Sequence, residues 1–140
     1  MRQLFADTFY WVALFSPRDR WHRQALDISR TLGEHRLWTT DDVLNEFLAI
    51  CSSLGPRSRQ RAVNLARQIL TDPDLTVVPQ THESFLEGLT LYEQRPDKHY
   101  SLTDCISMNI MRRHGLTEVL SYDHHFEQEG FQLLFRSRAP

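Results

Sequence analysis

The sequence predicts an α/β domain whose mainly parallel β-sheet is covered by helices on both faces, and three observations lead there. Short apolar runs alternate with segments of helical spacing along almost the whole chain, and parallel strand neighbours need such long crossovers. A length of 140 residues is one domain's worth of chain, so residues 1–140 are expected to form a single unit. With 41% hydrophobic and 24% charged residues and no low-complexity run, the composition is that of an ordinary globular protein rather than a disordered one.

Leu4 to Ala6 is an apolar run that ends in an acid, Asp7, and reads as the first strand. After a break, Ser16-Pro17-Arg18-Asp19 carries helix-start signals: Ser as N-cap, Pro at the first helical position and an acid in the first turn. Trp21, Ala25, Ile28 and Leu32 recur on one face of that helix until Gly33 stops it. Arg36 to Thr39 is a short extended candidate. Thr39 or Thr40 caps the next helix, in which Val43, Phe47, Ile50 and Leu54 share a stripe, and Gly55-Pro56 ends it. Helical spacing resumes over 57–70 through Ala62, Ala66 and Ile69, which predicts a helical hairpin at about 41–70. Leu75 to Val78 reads as a buried strand, Thr81 caps a helix running to about Gln94, and Arg95 to Tyr100 is a polar loop. Ser101 opens a helix that ends at Gly115. Glu118 to Tyr122, with the apolar pair Val119-Leu120, reads as a strand, followed by a short helical turn and a last extended run, Phe131 to Phe135.

The formal net charge is −2, so the molecule as a whole has no general attraction for a polyanion, and any affinity for nucleic acid must come from local patches. Of the 16 basic side chains only Lys98 is a lysine. Arginine's planar fork suits bidentate phosphate contacts, although a G- and C-rich genome accounts for the bias equally well. Cys51 and Cys105 lie in apolar-patterned segments without zinc or disulfide spacing, which makes a reducing cytoplasm the expected compartment. The apolar stretch from Leu4 to Phe15 is interrupted by Asp7 and lacks a small-residue cleavage site, so it is not read as a signal peptide, and no membrane association is expected.

In an open parallel sheet, ligands gather in the crevice beyond the carboxyl ends of the strands. Asp7 and Asp123 each follow a strand, at Ala6 and Tyr122, with no basic residue adjacent. A carboxylate beside a buried strand end is costly unless something pairs with it, and a cation is the simplest partner. Glu46 lies about 40° outside the apolar arc of its helix, a position that by itself suits a solvated edge residue. Ser101-Leu102-Thr103-Asp104 fits a capping box, which by itself accounts for Asp104.

Taken together, four segments carry more than each alone. Asp7-Thr8 after a strand, Thr40 and Glu46 in a helix, Ser101-x-Thr103-Asp104 opening a helix, and Leu120-Ser121-x-Asp123-x-x-Phe126 after a strand resemble the signature segments of the PIN-domain nucleases, in the family's order and spacing. Within that family the likeness runs to the VapC-type ribonuclease toxins of prokaryotic toxin-antitoxin pairs. Trp21-His22-x-x-Ala25 and Gly130-Phe131 look like further family habits. The resemblance implies a PIN-like fold and hydrolysis of RNA phosphodiester bonds with Mg²⁺ or Mn²⁺, and hard cations of that kind prefer carboxylate oxygen. It makes Asp7, Glu46, Asp104 and Asp123 the catalytic set. Asp7 and Asp104 would be the principal metal ligands, Asp123 would support them or bind a second ion, and Glu46 would hold water of the ion. Thr8, Thr103 and Ser121 are candidate hydroxyls for orienting carboxylates or phosphate, with a cap or turn role as the simpler account of each. A small antitoxin protein and a second copy of the chain in a homodimer are the implied partners beside RNA.

One departure concerns the metal. Many relatives carry a second acid two places after the fourth, whereas this chain reads Asp123-His124-His125-Phe126, which leaves open whether His125 replaces a ligand and whether one ion or two bind. A pair of loop histidines is more often solvated, and His22 reads as a packing or surface residue. Arg57, Arg59, Arg61 and Arg67 in the hairpin, with Arg136 and Arg138 near the end, are the candidates for RNA backbone or partner contacts. Leu44 and Leu48 of the hairpin read as core, with a dimer or antitoxin groove as their other use. Rival chemistries lack their residues. A phosphohydrolase would show an acid at Phe9 and a late lysine, and no Gly-rich nucleotide loop exists. The alternatives that remain are a non-catalytic PIN-like RNA- or protein-binding module and a stand-alone RNA-processing nuclease.

Overall fold

A computed structural model describes residues 1–137; Arg138 lies outside the described residues. Five parallel strands form one sheet in the order β3-β2-β1-β4-β5: β1 Arg2–Ala6, β2 His35–Thr40, β3 Leu75–Val78, β4 Glu118–Leu120 and β5 Gln132–Leu133. The helices between them are α1 Thr8–Phe15, α2 His22–Thr31, α3 Asp41–Cys51, α4 Pro56–Thr71, α5 His82–Gln94, α6 Leu102–Arg113 and α7 His124–Gln128. The chain steps outward from β1 through β2 to β3, then returns over the sheet to β4 and β5. With right-handed crossovers this reversal lays α1 to α4 over one face and α5 to α7 over the other. Consecutive residues of β1, Leu4, Phe5 and Ala6, are all fully buried, as a strand covered on both faces requires. The point of reversal falls between β1 and β4.

Helix α1 is absent from the sequence reading, and the reason is physical. Thr8, Tyr10, Trp11, Ala13 and Phe15 are buried and no polar face exists, so the segment shows no helical period, only an apolar run continuing from β1. Ser16 closes this helix instead of opening the next, its N–H donating to Val12 O at 3.0 Å. Pro17 to Asp19 make a turn, and α2 begins later than its apparent N-cap signal, at His22, with Trp21 as its cap residue. Pro after Ser suits a turn as well as a helix start, which is why the pattern misleads.

Thr40 caps α3 by accepting the Val43 N–H at 3.0 Å, and the hairpin forms as expected, burying Val43, Leu44, Phe47 and Cys51 of α3 and Ala62, Ala66 and Ile69 of α4. Gly55 holds φ +95 at the turn, a left-handed value that a side chain would strain, and Pro56 then starts α4. Two of the hairpin arginines close helix ends: Arg59 donates to Ser52 O at 2.9 Å and Arg61 to Phe15 O at 3.1 Å, with its guanidinium 4.6 Å from the Phe15 ring centroid. Strand β3 lies at the sheet edge and is only half-buried along its length, not the buried strand its apolar run suggests. The last extended run shortens to two residues. Capping boxes at Thr81/Ser84 and Ser101/Asp104 start α5 and α6, which pack so closely at Gly88 that a Cβ there would come 2.5 Å from Ile106 Cγ1.

Candidate active site

The register of β1 with β4 places Phe5 beside Val119 and Ala6 beside Leu120, so the next residues, Asp7 and Ser121, emerge together at the crevice where the sheet reverses. Ser121 Oγ donates to Asp7 Oδ2 at 3.0 Å and accepts the Asp123 N–H at 3.0 Å. One hydroxyl therefore ties Asp7, at the end of β1, to Asp123, at the start of α7. Behind Asp7, Thr39 Oγ1 donates to Ala6 O at 2.9 Å and accepts the Trp11 indole N–H at 3.3 Å, joining β1, β2 and α1.

Asp104 arrives from the other side of the crevice in the first turn of α6. Its Oδ2 accepts the Ser101 N–H at 3.0 Å, so the capping box that explains Asp104 structurally also fixes its carboxylate in the site. The same oxygen lies 3.0 Å from His125 Nδ1, and Asp123 Oδ1 lies 3.3 Å from that nitrogen. Asp123 caps α7, with its Oδ1 accepting the His125 N–H at 2.9 Å. This turn swings the imidazole between two carboxylates, and ligand atoms of Asp104, Asp123 and His125 all fall within 4.8 Å of one another. His125 is thus part of the cluster, whereas its neighbour His124 is 62% exposed. Glu46 is half-buried on α3 and reaches the group electrostatically.

Asp7 is 5% exposed. Its carboxyl is raised to about 7, first by burial and next by repulsion from Asp104, with Glu46 adding less, against the hydrogen bonds of Ser121 and the Thr8 backbone. No Lys or Arg among the described residues forms an ion pair with it. Thr8 Oγ1 beside it is buried without a hydrogen-bond partner. A buried acid without a cation among the described residues, repelled by a second acid and next to an unpartnered hydroxyl, fits a hard divalent cation. Thr103 is half-buried one place before Asp104.

Behind these residues stands a network that the sequence does not announce. Glu129 accepts from Arg95 at 3.0 and 3.2 Å, from Arg112 at 2.8 Å and from the Tyr100 hydroxyl at 2.9 Å, which holds its carboxyl down at about 2. The Tyr100 ring packs 5.2 Å from that of His125. The arginines of α4 do not enter the cluster: Arg57, Arg59, Arg61 and Arg67 are exposed, two of them spent on the helix ends described above. His22 packs, its Nδ1 lying 2.7 Å from Ala13 O. Leu44 is core and Leu48 half-buried against it.

Among known proteins the chain is similar to the 23S rRNA-specific endonuclease VapC20 of Mycobacterium tuberculosis, at 26% identity over 136 residues covering 91% of this chain and 95% of that one. The crystal structure of Mycobacterium tuberculosis VapC20, a Sarcin-Ricin loop cleaving toxin, has the same fold, with a TM-score of 0.81 at 23% identity over 91% of this chain and 95% of that one. VapBC2 from Rickettsia felis, bound to a DNA fragment from its promoter, shares the fold at a TM-score of 0.65 and 10% identity, covering 94% and 96% of the two chains. Residues 4–131 match the PIN domain family, and with a five-stranded parallel sheet and acids gathered at its reversal point, this chain belongs to the PIN domain family.

Proposed function

We propose that this chain is a ribonuclease that hydrolyses RNA phosphodiester bonds with Mg²⁺ or Mn²⁺, and that it is the toxin of a toxin-antitoxin pair. The observation that carries the reading is a buried carboxylate, Asp7, repelled by Asp104 and Glu46 and without a cation among the described residues, beside the cluster of Asp104, Asp123 and His125. Asp7, Asp104 and Asp123 would hold the ion, with the His125 imidazole as a further donor in place of an acid. When bound, the ion supplies positive charge to the attacked phosphoryl group and lowers the pKa of the attacking water. Glu46, on the rim of the group, orients that water and accepts its proton. Water adds to phosphorus, the bond to one bridging oxygen breaks, and the departing oxygen takes up a proton. Ser121 keeps Asp7 and Asp123 in register through the reaction, and the capping box does the same for Asp104.

The test is cleavage by purified protein. Labelled RNA is expected to be cut with Mg²⁺ or Mn²⁺, to survive in chelator, and to survive with Asp7→Asn under the same conditions. Equal cutting by wild type and Asp7→Asn would overturn the reading, and no cutting by either would favour a non-catalytic binding module. The toxin assignment is supported by the likeness to VapC20, a Sarcin-Ricin loop cleaving toxin. A small antitoxin and a homodimer go with it, the latter favoured by the exposed Phe85, Leu86, Leu89 and Tyr92 along α5. Sedimentation of the chain alone, and after co-expression with any small protein encoded beside it, checks both.

A further inference from the structure

Beside the acids runs a row of side chains that the metal cluster does not use. Trp21 is fixed at the start of α2 by its N–H, which donates to the Asp19 carboxylate at 2.8 Å. The Arg20 guanidinium carbon lies 5.0 Å from the indole centroid, and the Tyr122 ring lies 4.6 Å from it at an interplanar angle of 34°. Tyr122 in turn meets the His124 ring at 5.2 Å. Phe9 and Phe135 pack against the indole at 5.6 and 6.1 Å and anchor the row to the core. At the Arg20 end a cavity of about 290 Å³ is lined by Arg20, Trp21, Arg23 and Gln24. At the other end, Tyr122 and His124 flank Asp123 in the chain, about 3.8 Å away by Cα spacing, so the row begins one residue from the acids.

This composition differs from that of an ordinary apolar docking patch. It joins three successive planar π-faces, Trp21, Tyr122 and His124, to guanidinium groups at one end, and its outer members, Arg20, Arg23 and His124, are exposed. Planar side chains in a row take nucleobases in turn because every base has a π-face, and Arg beside them holds phosphate. A molecule of net charge −2 needs such a local patch to hold a polyanion at all. We infer that this row is the subsite for an unpaired stretch of the RNA strand next to the scissile phosphate, with a base stacked on His124 at the acid end and neighbouring phosphates held by Arg20 and Arg23. The inference rests on the ribonuclease reading for the nature of the ligand.

The experiment measures binding, not cleavage. A short dye-labelled single-stranded RNA is titrated with the Asp7→Asn protein in chelator, followed by anisotropy over a range of salt, with an abasic strand and an RNA duplex in parallel. The single strand is expected to bind more tightly than the duplex. Arg20→Ala with Arg23→Ala should weaken it about tenfold and reduce the salt slope by about 1.4, two contacts at roughly 0.7 each. His124→Ala should weaken the base-bearing strand about five- to tenfold and leave the abasic strand unchanged. All three substituted residues are exposed, so the variants should keep their fold, which a melting curve checks. Unchanged binding in both variants overturns the inference, and if wild type still cuts RNA with Mn²⁺ the ribonuclease reading stands without it. The expected binding pattern in a protein that cuts no RNA would support the strand-binding row and remove the ribonuclease reading instead.

Discussion

Asp7 shows most directly what the site costs the fold. Its carboxyl, buried and facing Asp104, ionises only near pH 7, so at neutral pH its charge opposes folding. Like charges at an effective dielectric near 20 repel by roughly 2–4 kcal/mol per close pair before screening. The Asn amide oxygen can still accept the Ser121 hydroxyl, so Asp7→Asn removes charge while keeping shape and the hydrogen bond. In chelator at neutral pH, Asp7→Asn is therefore expected to melt several degrees above wild type even as cleavage is lost, and a lower melting temperature for the variant would count against a convergent acid site. Asp7 and Asp123 stood out in the sequence because an acid after an apolar run needs an explanation, although β4 ends at Leu120, three places before Asp123. His125 was not. Its place between Asp104 and Asp123 depends on the direction of one side chain, set by the Asp123 carboxylate capping the His125 N–H, and residue type alone does not encode that direction. Thr39, bonded to the Ala6 carbonyl behind Asp7, was legible only as a possible cap for α3.

At the scale of elements, a period in the sequence is readable only where one face is polar. Helix α3 and helix α4 have such a face, and the hairpin was legible to within a few residues. Helix α1 is buried nearly all round and was not, and strand β3 shows the converse, since an apolar run does not say whether its strand lies at the edge or the centre. The position of α7, which carries His125, depends on Glu129 just beyond its end. That carboxylate, with its side chain 6% exposed, gathers Arg95 and Tyr100 from the loop before α6 and Arg112 from α6 itself. Its pKa is lowered to about 2, chiefly by the Arg95 hydrogen bonds and then by those of Arg112 and Tyr100 against the cost of burial. A carboxyl whose folded pKa is depressed contributes stability above its ordinary value near 4.5 and loses it as pH falls toward 2. Glu129→Gln should therefore cost about 2 kcal/mol at pH 7 in urea unfolding and half of that or less by pH 3. A cost that does not change between these two pH values would mean that the ion pairs contribute nothing beyond packing.

At the scale of the whole molecule, the acids come from four distant segments, after β1, within α3, at the start of α6 and after β4, and only the folded chain brings them to one crevice, Asp7 and Asp123 through the pairing of β1 with β4. An unfolded chain offers no such group. A divalent ion that uses it binds the folded state alone and must stabilise the entire cooperative unit, by about 2.7 kcal/mol at a hundred times its dissociation constant. Mn²⁺ is therefore expected to raise the melting temperature of wild type saturably, with chelator reversing the rise. Asp123→Asn keeps an oxygen to cap α7 while losing a charged ligand, so it should start near or above the wild-type melting temperature and gain less from the ion. Asp104→Asn also alters the capping box at Ser101, so its metal-free gain should be smaller than that of Asp7→Asn. The order of metal-free stabilities thus separates electrostatic relief from capping, while the Mn²⁺ increments report ligation. If Mn²⁺ leaves wild type unmoved, or raises Asp7→Asn and Asp123→Asn as much as wild type, the acids are not an ion site, and their closeness belongs to the fold alone.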